Sequence, residues 1–126
     1  MRLGSRVGKV VALVVGIVAG VSSLPAVADE AFDAFWTKFT TALNNDDVGT
    51  VRDLVKFPVM YNGEELGADS FPTLYDGWFS ADARGCLATT TPVEDGVDYY
   101  VAYCELIYVF VNSEDGWRFE GVSAND

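Results

Sequence analysis

Histidine is missing from the chain altogether. Its absence removes the side chain that most often titrates near neutral pH, the usual ligand of Zn²⁺ and Cu²⁺, and the base of any Ser-His or Cys-His nucleophile system. Cations are scarce as well: beyond position 28 only Lys38, Arg52, Lys56, Arg84 and Arg118 stand against all nineteen carboxylates. Without a basic patch, a phosphate loop or a Gly-x-Gly-x-x-Gly, nucleic-acid and nucleotide functions are disfavoured. Cysteine is limited to Cys86 and Cys104, and no Cys-x-x-Cys suggests a redox pair. The acidic doublets Asp46-Asp47, Glu64-Glu65, Glu94-Asp95 and Glu114-Asp115 lack the alternating ligands of an EF-hand loop and sit where caps and turns are expected. No metal and no cofactor is expected.

What is present begins with an export signal. Arg2, Arg6 and Lys9 form a basic start, Val10–Val21 is apolar, and Ala26-Val27-Ala28 is a small-x-small cleavage site,. A membrane anchor is the competing reading, but Gly16, Gly20 and Ser22-Ser23-Leu24-Pro25 cut the apolar run short of a span,. The cleavage site has no Cys for a lipid,. The expectation is a periplasmic or secreted protein, cleaved after Ala28, with no stable membrane anchor and a single domain over 29–126. The acidic excess serves solubility and would also attract basic proteins, cations or cationic ligands.

Phe32, Phe35, Trp36, Phe39, Ala42 and Leu43 share one face of a helix over Ala31–Leu43 that stops at Asn44-Asn45,. Asp46-Asp47 caps a second helix carrying Val48, Val51, Leu54 and Val55, ended by Phe57-Pro58,. Asn62-Gly63 is a strong hairpin signal between Val59-Met60-Tyr61 and Glu64-Glu65-Leu66, read as an edge element,. A short third helix follows Asp69-Ser70, with Pro72 in its first turn and Phe71, Leu74, Tyr75, Trp78 and Phe79 on one face,. Gly85–Thr91 is compatible with a strand, and Pro92–Gly96 with a turn,.

The run from Tyr99 to Val111 contains no Pro or Gly and is rich in β-branched and aromatic residues. It reads as one long buried strand, followed by a turn over Asn112–Gly116 and a partner strand Trp117-Arg118-Phe119. Symmetry about Asp95 sets Cys86 opposite Cys104 on neighbouring strands, close enough for a disulfide acting as a structural staple. The same arithmetic pairs Phe110 with Trp117 and Tyr108 with Phe119, on a face shared with Ala102, Cys104 and Leu106. The opposite face carries Tyr99, Val101, Tyr103, Ile107 and Val109, interrupted only by Glu105. A strand apolar on both sides needs a bulge that changes register, a partner subunit or a bound protein.

In order and length, most of Asp29–Val122 resembles the nuclear-transport-factor-like superfamily, which includes SnoaL-like cyclases, ketosteroid isomerase and scytalone dehydratase. The local matches are Phe35-Trp36-x-x-Phe39, Leu54-Val55-Lys56-Phe57-Pro58 and the terminal Asp115-Gly116-Trp117-Arg118-Phe119 hairpin. The resemblance implies an α+β fold in which N-terminal helices pack on a strongly curved antiparallel sheet, a cone. It also implies a pocket lined by a subset of Trp36, Phe39, Phe57, Tyr61, Tyr75, Trp78, Tyr108, Phe110, Trp117 and Phe119, and homodimerisation through the sheet. The alternative for those rings is that they fill the core. The superfamily spans enzymes, association domains and binding domains, so the fold does not select an activity.

Two functions remain open. One is a non-catalytic exported binding module for a protein or small ligand, with a basic partner favoured and an inhibitor or immunity-type protein as a concrete form. The other is a proton-transfer enzyme, isomerase- or dehydratase-like, needing a buried carboxylate beside a Tyr. Asp76 with Tyr75 is the best local pair, and Tyr61, Tyr103 and Glu105 are remoter candidates. An Asp beside Gly77 is also what a helix end requires, and the dehydratase-like members use a His that this chain lacks.

Overall fold

Aromatic residues at helical spacing build α1 (30–44), in which Phe35, Phe39, Ala42 and Leu43 are buried while Thr37, Lys38 and Thr41 face solvent. The computed structural model describes residues 30–124, so the signal segment expected over Met1–Ala28 lies outside the described residues. The chain divides into Met1–Asp33 and Ala34–Asp126. The described part of the first unit, residues 30–33, is helical, and the rest of the architecture belongs to the second. Asp46, at a φ of 53°, reverses the chain after α1. The Asp47 carboxylate then accepts from the Thr50 amide at 3.2 Å and from its hydroxyl at 2.7 Å, capping α2 (Val48–Asp53). Those two bonds hold the Asp47 carboxyl below its usual range,.

α2 ends before the expected Phe57-Pro58. The backbone beyond it is recruited by the last strand: the Phe119 amide donates to the Leu54 carbonyl and the Lys56 amide to the Phe119 carbonyl, both at 2.8 Å. β1 (Val59–Tyr61) and β2 (Glu64–Leu66) pair around Asn62-Gly63, whose φ angles of 51° and 83° are those a tight primed turn demands,. They form a two-stranded sheet of their own, in which each strand is an edge. A 3-10 turn, Ala68–Ser70, leads into α3 (Phe71–Trp78) with Pro72 in its first turn, and Phe71, Leu74, Tyr75, Trp78 and Phe79 are all buried.

The strand expected over Gly85–Thr91 is instead the helix α4 (Ala81–Thr89). Its start is capped by Ser80, whose Oγ accepts from the Ala83 amide at 3.2 Å,. Leu87 is its one fully buried residue, so α4 shows almost no apolar periodicity from which a helix could be read.

β3 (Val93–Glu94), β4 (Tyr99–Tyr103), β5 (Leu106–Ser113) and β6 (Gly116–Ala124) form an antiparallel sheet in that order. The single long strand expected over Tyr99–Val111 is a hairpin: the run turns back at Cys104-Glu105, so that Tyr103 pairs with Ile107 and Tyr99 with Val111. The turn before it falls later than Asp95, with Gly96 and Asp98 at φ of 79° and 67°. The last register also differs: Phe110 lies opposite Phe119 rather than Trp117, a slip of two, and beyond the bulge Tyr108 lies opposite Val122 rather than Phe119, a slip of three. A slip of two preserves the side-chain face, so Ala102, Tyr108, Phe110 and Phe119 share the buried side as expected. A register shift between Val109 and Phe110 leaves Glu120 as the extra residue of a bulge, one of the devices the two-sided strand required.

The architecture is therefore α+β, with helices and antiparallel sheets. Phe119 is the hub of the core, its ring 5.3 to 6.1 Å from those of Phe39, Trp78, Phe79, Tyr108 and Phe110. Burying each such ring contributes about 1.5–3 kcal/mol.

Candidate functional site: the hairpin tip and the surfaces beside it

Cys86 on α4 and Cys104 in the β4–β5 turn form a disulfide, with Cα atoms 6.1 Å apart. The pairing is the expected one, but the geometry is not. The bond ties a helix to a hairpin tip instead of crossing two strands. A formed disulfide is compatible with an oxidising compartment.

The tip separates two surfaces. On the sheet face opposite the Ala102–Tyr108–Phe110–Phe119 side, pairing lines up Val93, Val101, Val109 and Gly121 in one row and sets Tyr103 beside Ile107. Val101 is buried and Ile107 and Val109 are half-buried, yet Tyr99 and Tyr103 remain 37% and 53% exposed and Val93 45%. Glu105 does not interrupt this face, because it stands exposed in the turn. The adjoining β3–β4 connection carries Asp95 and Asp98, and Glu94 of β3 alternates to the other face; all three are exposed. Among the described residues none of these carboxylates pairs with a cation, the ion pair present being Arg84 to Asp46 at 3.6 Å.

The rings proposed for a pocket are divided between core and surface. Phe39, Tyr75, Trp78, Tyr108 and Phe110 are buried, Trp36, Phe57 and Trp117 are half-buried, and Tyr61 is exposed. The Trp36 and Phe39 rings both meet Phe110, at 5.4 and 5.3 Å. Trp117 meets Tyr100 at 5.4 Å, and Tyr61 meets Trp78 at 5.9 Å.

Of the proton-transfer candidates, Tyr75 and Asp76 are helical neighbours pointing apart, Tyr75 buried and Asp76 exposed. The partner of Tyr75 is Asp46, which accepts from its hydroxyl at 2.8 Å. Burial first, then the hydrogen bond and charge of Asp46, push the Tyr75 phenol up to about 12,. Glu105 lies close enough to Tyr108 for its charge to add to burial, which together push that phenol up to about 12 as well. The Tyr108 hydroxyl donates to the Trp78 carbonyl. Both phenols therefore stay protonated near neutral pH, as hydrogen-bond donors.

Asp46, expected from the sequence as part of an acidic doublet at a helix cap, has a wider role. It joins three elements, accepting from Tyr75 of α3 and facing Arg84 of α4 from the turn after α1. Its backbone is left-handed, a conformation Asp tolerates,, and nothing in the sequence sets it apart from Asp47.

Beside the disulfide lies a cleft of about 200 Å³, whose walls include Gly77, Trp78, Asp82, Glu105, Leu106 and Tyr108. Among the described residues no group of three His, Cys, Asp or Glu side chains could hold a metal ion, and no helix is long and apolar enough to cross a membrane. No family model matches the chain, and searches of curated proteins and of solved structures found no significant match.

Proposed function

We propose that the protein is an exported, acidic, non-catalytic binding module that docks a basic protein on the outer face of β4 and β5. The observation that carries this reading is the exposure of Tyr99 and Tyr103 on an apolar ladder bordered by Asp95 and Asp98, neither paired with a cation among the described residues. Exposed aromatic anchors ringed by charge are the usual anatomy of a recognition surface. The charge selects the partner, since a second acidic copy would be repelled while a basic protein would be steered in. An inhibitor or immunity-type role against a basic exported protein is the concrete form of this reading. The order of helices, short hairpin, helix and antiparallel sheet supports a nuclear-transport-factor-like cone as the scaffold.

The test uses the oxidised domain Asp29–Asp126, immobilised beside its Tyr99→Ser/Tyr103→Ser variant and exposed to exported proteins at low and moderate salt. A basic protein retained in stoichiometric amount by the native face, lost from the variant and released by salt supports the reading. Retention that ignores both the tyrosines and the salt, or no basic protein retained, overturns it.

A further inference from the structure

The cleft beside the disulfide does not end at α3. A second depression of about 380 Å³ meets it along Gly77, Trp78 and Leu106 and continues past Met60, Tyr61 and Val122. The two together make a groove with unlike ends. At one end stand Asp82 and Glu105, neither paired with a cation among the described residues, above the buried rings of Trp78 and Tyr108. At the other end Met60 is 59% exposed and Tyr61 43%, with the Tyr61 ring set edge-on to Trp78. Between them Gly77 leaves the floor bare, since a Cβ built there would meet no atom within 4 Å.

We propose that this groove binds an extended segment of a basic polypeptide, seating one arginine or lysine side chain between Asp82 and Glu105 and a neighbouring apolar side chain against Met60 and Tyr61. The inference rests on the reading of the chain as a module for basic proteins and adds a second contact, distinct from the outer sheet face. Charge complementarity selects a cation for the acidic end. The shape selects a polypeptide. A small ligand is normally held by a concave site that encloses most of its surface, whereas Met60, Tyr61, Gly77, Asp82 and Glu105 along this groove are all exposed, so that a chain can lie across it.

The test uses the oxidised domain labelled with ¹⁵N and a series of capped peptides, each with one arginine and one leucine separated by zero to three glycines. One spacing is expected to bind in the millimolar range or tighter, moving the amide signals of Gly77, Ala83 and Leu106. Glu105→Gln and Asp82→Asn should each weaken it about tenfold, as loss of one of two charges on a cation would. Gly77→Leu should abolish it with the domain still folded, because the new side chain enters open space and a helix favours leucine over glycine. Peptides that move none of those signals, or binding that survives Gly77→Leu, overturn the proposal. Octylamine binding the groove as tightly as the best peptide overturns the polypeptide as its occupant. None of these measurements involves Tyr99 or Tyr103, so a groove that fails leaves the outer-face reading to its own experiment.

Discussion

The hydroxyl of Tyr75 donates to the carboxylate of Asp46 at 2.8 Å, across 29 positions of sequence. One bond thereby ties α3 to the reversal between α1 and α2, and Arg84 draws α4 to the same carboxylate at 3.6 Å. Tyr75→Phe keeps the buried ring and deletes the bond, with an expected loss of about 1 kcal/mol in urea unfolding. Made in an Asp46→Ala background, the same change should cost much less, because the partner is already gone.

Alkaline titration should separate the tyrosines. Tyr75 and Tyr108 are both pushed up to about 12, while an unfolded phenol ionises near 10. Between those values the unfolded chain has released protons that the folded one retains. Stability from these two groups is therefore complete below about pH 10 and falls as pH rises toward 12. Phenolate absorbance followed with pH in the native and urea-unfolded protein checks this, and Tyr108→Phe should remove one of the late-titrating groups.

Reducing the disulfide, or replacing both cysteines by alanine, should lower stability by about 3 kcal/mol, since the bond closes a loop of 18 residues,. Hydrogen exchange should rise first in α4. That helix buries only Leu87 fully, so the tether to Cys104 is a large part of what holds it,.

Phe119→Ala should be the most damaging single change in the core. Five rings converge on Phe119, and truncating such a residue costs about 3–5 kcal/mol. A domain of this size has about 5–15 kcal/mol in all, so the variant should melt far below the native protein in a calorimetric scan.

The binding surfaces should behave in the opposite way. Tyr103→Ser alters a side chain that is 53% exposed and should change unfolding free energy by less than about 0.5 kcal/mol, as measured in urea. A larger loss would mean that Tyr103 supports the sheet rather than standing free for a partner.

The sequence by itself determined the elements whose signals are local. α1 follows from the spacing of its aromatics, α2 from the Asp47 cap, the β1–β2 register from Asn62-Gly63, and α3 from Pro72 ahead of an apolar face. In each case a few adjacent residues dictate the backbone. The disulfide partners were also legible, because only two cysteines are present. Tertiary structure alone decided the rest. α4 carries a Ser80 cap but one fully buried side chain, so no periodicity distinguishes its helix from a strand. The fold-back at Cys104-Glu105 has no positive φ and so needs no Gly or Asn; nothing in a run of strand-forming residues marks where it turns. That point is set by what lies far away in sequence, the ladder from Tyr103–Ile107 to Tyr99–Val111 and the tether to Cys86. The groove at Gly77 has the same origin: its walls come from α3, α4, the β1–β2 hairpin and the sheet, brought together by packing that no single stretch of the chain encodes.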